Sequence, residues 1–333
     1  MALGLALTLA SPAANAQKVS FKDPKDDDNG PGKYTYPTDP IYKPGSFDMT
    51  GFSLKAHGDK VDLDVELAAK LDDPWKTGSG FSLQMVFVFI QTHAEKNEGG
   101  AKPAAGKPGG KKPPGGDKAS SGKAAADKKA ADKKAAAKTA AGNAPAGKPP
   151  AGKPEAAKTA GEKPGITAGL PGLGIQFAPE DGWDRCIILS PLPASRVKSE
   201  VAAKAAAMQD AIVIPARVRG SGRTISATID RKSLGPGDPT DWGYQVVIAG
   251  SDAYPAAGSL LVRKVNEAES QHRFGGADGA CNPNVLDLLA GDGEGEPGEV
   301  AEQREMLQYE CNPDGTPKKP ATLKLVRLDK SEN

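Results

Sequence analysis

Between residues 61 and 67 the chain alternates: Val61, Leu63, Val65 and Leu67 are apolar, and Asp62, Asp64 and Glu66 are charged. A period of two sends the first set to one face of a strand and the second to the other, so the strand is half buried and half wet. Phe81 to Ile90 (FSLQMVFVFI) is rich in β-branched and aromatic residues and almost unbroken in its apolarity. Such a run reads as a strand covered on both faces. Further on, apolar runs occur at 174–178, 186–189, 211–218, 224–229, 244–249, 259–265 and 322–328, with Gly, Pro or Asp turns between them. Short runs at this spacing predict an all-β fold, a sandwich or a barrel. The Ala-rich stretch 197–209 reads as one short helix, and 299–310 as a second. Strands and helices do not alternate, so a parallel doubly wound sheet is not expected.

The stretches between and before these runs differ in kind. Residues 17–46 are polar and rich in Pro, Gly and Asp, and read as an extended entry loop. Residues 95–165 are almost only Ala, Lys, Gly and Pro, with no aromatic residue and no Val or Leu before Gly165. A segment of that composition cannot bury enough apolar area to offset the entropy of ordering it, so it is expected to be disordered. Lys123 to Thr139 (KAAADKKAADKKAAAKT) has the residues of an isolated, flickering helix. Residues 95–164 carry 16 Lys against 7 acidic residues, a local polycation in a chain whose formal net charge is only +1. Three roles fit it: a spacer, a tether to anionic polymer, or a nucleic-acid tail. The last lacks the aromatic or Arg residues that stack on bases.

Residues 1–16 (MALGLALTLASPAANA) begin with a short apolar run and end in Ala14-Asn15-Ala16, small residues that suit cleavage before Gln17. That is the pattern of a secretory signal without its basic start. It is too short for a membrane span, and no other candidate span is present. The mature protein is expected to be secreted, periplasmic or held at the cell surface. Export permits a disulfide. Cys281 and Cys311 sit in polar turn contexts and form the candidate pair, whereas Cys186 heads an apolar run and reads as a buried thiol.

Candidate chemistry is sparse. His57, His93 and His272 stand in unrelated contexts, and no GxSxG, HExxH or P-loop is present, so an enzyme is not expected. Asp23, Asp26, Asp27 and Asp28 crowd a Gly-rich loop, and Asp48 is a candidate extra ligand from the next segment. Carboxylates of this kind are hard oxygen ligands, and an exported protein meets millimolar calcium. The same residues also suit a solvated turn in which Asp side chains cap the backbone. The tryptophans occur as Asp73-Pro74-Trp75, Gly182-Trp183-Asp184 and Asp241-Trp242-Gly243. An indole face stacks on a sugar ring while neighbouring carboxylates accept from hydroxyls, which makes Trp75, Trp183, Asp73 and Asp184 candidate glycan-binding residues. The alternative is that turn tryptophans plug the core, Trp242 foremost.

Several segments resemble one family, the C-terminal domain of glucodextranases. They are DPKDDDNGPGKYTYPTDPIYKPGSFDMTGFSL (23–54), LDDPW (71–75), GFSLQMVFVFIQT (80–92), GWD (182–184), DWGYQVVIAG (241–250) and HRFGG followed by NPNVLDLL (272–289). The resemblance implies an antiparallel β-sandwich similar to DOMON-like domains and family-nine carbohydrate-binding modules. It implies one discontinuous domain, 17–94 and 166–330, with the lysine-rich segment inserted in it; such insertions are cheap in closure entropy. It also implies binding to polysaccharide or cell-envelope glycan rather than catalysis. The glycosidase catalytic domain is absent from this chain, so service to an α-glucan hydrolase or packing against envelope proteins remain alternative roles. The match of Asp23–Asp28 to the family's opening motif strengthens the calcium reading.

Overall fold

The computed structural model describes residues 17–92 and 165–329. The expected leader, 1–16, and the lysine-rich insertion with its helical stretch lie outside the described residues, Gly165 excepted. Before the insertion run β1 (Gln17–Lys22), β2 (Met49–His57), β3 (Lys60–Leu67) and β4 (Gln84–Gln91). After it come β5 (Ile175–Phe177), β6 (Arg185–Leu189), β7 (Ile212–Val213), β8 (Val218–Ser221), β9 (Thr224–Asp230), β10 (Gly243–Gly250), β11 (Asp287–Leu288), β12 (Glu310–Cys311), β13 (Pro317–Lys319) and β14 (Ala321–Leu323). Two α-helices interrupt them, α1 (Ala194–Lys204) and α2 (Glu299–Met306).

Two five-stranded sheets form the sandwich, in the orders β1-β2-β3-β9-β8 and β11-β10-β4-β6-β7. The first is antiparallel throughout, and the second is antiparallel but for its edge pair β6–β7. Strands from both sides of the inserted segment pair directly, β3 with β9 and β4 with β6 and β10.

The alternation in β3 has its expected consequence. Val61, Leu63, Val65 and Leu67 are buried between the sheets, while Asp62 and Asp64 accept hydrogen bonds from Thr228 and Ser226 on the wet face (2.6 Å each). In β4 both faces are covered. Val86, Val88 and Ile90 join the core between the sheets, and Met85, Phe87 and Phe89 join a second core beyond it. That second core is closed by α1, by β5 with β14, and by buried Leu260 to Val262. Each such apolar side chain contributes about 1.5–3 kcal/mol on leaving water.

Four expectations need correction. Residues 17–22 of the entry loop form an edge strand, because Val19 and Phe21 alternate inward and pair with β2. Residues 259–265 form no strand, although Ser259 to Val262 and Val265 are buried, since Leu261 has a left-handed backbone (φ +57°) that breaks the extended run. Residues 211–218 supply only β7 and the start of β8, with Pro215 between them. The first helix begins at Ala194 rather than Val197 and gives way at Ala206 to a 3₁₀ segment, and the second ends at Met306.

Candidate functional site

The acidic loop leaves the end of β1 and crosses the end of the sandwich toward α2. Its path is pinned at several points. Lys22 donates its backbone N–H to Gly293 (2.7 Å), Gly30 donates to Leu286 (2.8 Å), and the Asn29 carbonyl accepts from Gly32, Lys33 and Tyr34. Gly30 has φ +59°, and a Cβ there would overlap the Tyr34 ring and the Val285 carbonyl. Gln303 on α2, fully buried, donates to the Asp27 carbonyl (2.6 Å) and accepts from the Leu288 N–H (2.8 Å). One side chain thus ties the acidic loop to β11.

This routing brings Asp23, Asp27 and Asp287 together, each offering an oxygen within 4.8 Å of the others, all three buried. Asp48, immediately before β2, is buried beside them. Neither Asp23 oxygen has a hydrogen-bond partner, nor has one oxygen each of Asp27 and Asp48. Asp287 is held in place, accepting from the Met49 N–H (2.6 Å) and the Leu288 N–H (2.8 Å), while Asp48 accepts from the Asp26 N–H (2.8 Å). Among the described residues no lysine or arginine forms an ion pair with any of the four.

The electrostatic consequence is a set of carboxyls that resist ionisation. Burial, followed by repulsion from Asp27, Glu299 and Asp48, pushes Asp23 well above the usual range. Burial and then Asp23 and Asp27 do the same to Asp287. Burial followed by the Asp48 charge takes Asp27 up to about 7, and burial takes Asp48 up to about 6. Four carboxyls in one buried place can be accommodated by protons or by a cation of high charge.

Two of the expected ligands, Asp26 and Asp28, are not among the residues whose oxygens meet. Asp26 is solvent-exposed with a left-handed backbone (φ +67°), and only its N–H faces the group. Asp28 accepts from the Tyr36 hydroxyl, which occupies one of its oxygens. Asp287 was not anticipated. It sits in the apolar string NPNVLDLL, where its burial in a strand was the available signal of a special partner.

The tryptophans separate sharply. Trp183 is fully buried, packs edge-on against Phe89 (5.3 Å between centroids) and donates to the Ala168 carbonyl (3.0 Å). It is a core residue, and its ring has no face for a sugar. Asp184 accepts from both the N–H and the hydroxyl of Thr92, so it fastens the end of β4. Trp242 is also buried, beside Tyr244. Trp75 and Trp183 are also far apart. The Trp75 N–H bonds Ser82 before β4 begins, and Asp184 bonds Ile90 near its end, so roughly 25 Å of strand lies between.

Trp75 is 46% exposed and Tyr254 90%, the two large apolar side chains left in solvent among the described residues. A short chain of contacts joins them. Trp75 meets His272 edge-on (5.4 Å), Arg273 pairs with Asp252 (3.1 Å), and Asp252 caps the Tyr254 N–H (3.0 Å). Asp73 accepts from the Thr77 and Gly78 N–H groups (2.9 Å each), which shapes the turn that carries Trp75 and holds its own carboxyl below the usual range despite partial burial. Cys281 and Cys311 are joined in a disulfide, and Cys186 is a buried free thiol. No helix among the described residues is long and apolar enough to cross a membrane.

Fold and site together define a β-sandwich module with exposed aromatic rings at one end and a buried carboxylate group at an edge. A family model described as the C-terminal binding module, SLH-like, of glucodextranase matches residues 19–107 and 157–326. The chain belongs to that family of binding modules. No curated protein matches it.

Proposed function

We propose that this chain is an exported, non-catalytic module that attaches to carbohydrate at a cell surface, through the end that carries Trp75. The supporting observation is that Trp75 stands in solvent while the other two tryptophans are buried. An indole left exposed on a rigid turn has little conformational entropy to lose and offers a flat apolar face to a sugar ring. His272 lies beside it as a polar group for hydroxyls, and the Arg273–Asp252 pair links this point to exposed Tyr254. Asp73 positions the turn rather than meeting the sugar. The match to a binding module supports the same reading. The lysine-rich insertion would add a salt-sensitive attraction to anionic envelope polymer.

The test is retention of the mature protein on insoluble polysaccharides and on cell-envelope sacculi at low and high salt, beside Trp75→Ala. Salt-resistant binding to a neutral glycan, about tenfold weaker in the variant, is expected from the loss of one stacking contact. Equal binding by the variant rejects the Trp75 site. Retention only on anionic material, lost at high salt, transfers the function to the insertion. No retention on any glycan favours a protein partner in the envelope.

A further inference from the structure

We infer that Asp23, Asp27, Asp48 and Asp287 form a structural calcium site that fastens the entry segment of the chain to β11. The inference is independent of the glycan reading. It rests on two separate observations. The first is placement. Oxygens of Asp23, Asp27 and Asp287 lie within 4.8 Å of one another although the residues come from distant parts of the sequence. Oxygens no farther apart than this can share one dication, and a buried set of carboxylates suits calcium, which takes about six to eight oxygens, better than magnesium, which keeps several of its waters. The second is the state of Asp23. It is 5% exposed, and neither of its oxygens has a hydrogen-bond partner. A buried carboxylate in a folded protein is normally paired, hydrogen-bonded or bound to metal. Unpartnered oxygens of Asp27 and Asp48 repeat the pattern.

The ligand chemistry excludes softer metals. Among the described residues the group contains oxygen donors alone, and no His or Cys joins it. All-oxygen carboxylate sets select hard dications. The supporting shell is also in place. Met49 and Leu288 N–H groups hold Asp287, the Asp26 N–H holds Asp48, and Gln303 holds the Asp27 backbone. Groups oriented in this way keep a free oxygen on Asp27 and on Asp48, and further lone pairs on the Asp287 oxygens, for the ion. The cation would join the loop after β1 to the start of β2 and to β11. Those segments belong to different sheets, so it would act as a staple across one edge of the sandwich.

The experiment uses the full mature chain purified in millimolar calcium. Metal content is measured after dialysis, and thermal unfolding is followed in metal-free buffer, then with calcium or magnesium restored. The expected result is about one calcium per chain and a melting temperature about 5–10 °C higher with calcium at 100 times its dissociation constant, with magnesium much less effective. Asp27→Asn removes one charge while keeping the shape. It is expected to melt at or above the metal-free parent, because repulsion falls, and to lose most of the calcium response. No calcium above the buffer blank, together with coincident melting curves for the parent, overturns the inference and leaves the carboxyls protonated. That outcome is read on the parent, so it stands even if the variant fails to fold. Glycan binding is not part of the readout, so failure of the two proposals can be told apart.

Discussion

Asp23 and Asp287 come from segments remote in sequence, before β2 and in β11, yet their carboxylate oxygens come within 4.8 Å of each other in the interior, with no basic side chain paired to either among the described residues. Two like charges in that position oppose folding unless they are neutralised. The fold therefore depends on how that neutralisation is achieved.

The metal-free protein is expected to lose stability as pH rises. Asp27 is raised to about 7 and Asp48 to about 6, and Asp23 and Asp287 are also raised well above the usual range, in each case chiefly by burial. A carboxyl with a raised folded pKa keeps a proton that the unfolded chain gives up near pH 4, so its stabilisation is full below about 4 and is lost as pH climbs through 6 to 7. Thermal scans of stripped protein at pH 5, 6.5 and 8 check this. A melting temperature that climbs over that range contradicts it.

The tryptophans are expected to differ in stability as they differ in place. Trp183→Ala empties a core site and should cost about 3–5 kcal/mol. Trp75→Ala should stay within about 0.5 kcal/mol of the parent, as surface changes do. Urea midpoints measure both. Iodide should quench only the emission that Trp75→Ala removes, and full quenching of all three indoles is incompatible with the burial described.

Opening the disulfide is expected to cost about 3–4 kcal/mol, because Cys281 and Cys311 close a loop of 30 residues in the unfolded chain. Thermal scans with and without reductant report it. Cys186 is fully buried and its thiol is pushed well above the usual range, so it should react with a thiol reagent only after unfolding. Fast reaction in the native state is the contrary result.

Gln303→Leu is expected to remove one of the two donors to the Asp27 carbonyl and one of the two acceptors of the Leu288 N–H, at about 0.5–1.5 kcal/mol for each bond lost. The urea midpoint should fall with an unchanged slope. A variant as stable as the parent means that neither bond holds the acidic loop.

Much of this protein was legible in its residues alone. Period-two alternation placed β3 and its wet and dry faces, and the unbroken apolarity of FSLQMVFVFI marked a strand covered twice. Both follow from the geometry of a single strand, which needs no knowledge of its neighbours. The crowding of Asp23, Asp27 and Asp28 was equally visible, because those residues are adjacent. Whether an aspartate points inward was not. Asp26 and Asp27 are neighbours, and a left-handed turn at the first sends one outward and the other into the interior. Asp287 could join the group only through the pairing of β10 with β11, a contact between remote segments. Likewise Gly, Pro and Asp beside a tryptophan mark a turn, and a turn can carry its ring inward or out. Packing on Phe89 decided that for Trp183, whereas the described residues leave Trp75 about half in solvent, with His272 against its ring. Local periodicity is a property of the chain, whereas burial of a turn residue is a property of whatever packs over it, and that is settled only when distant segments meet.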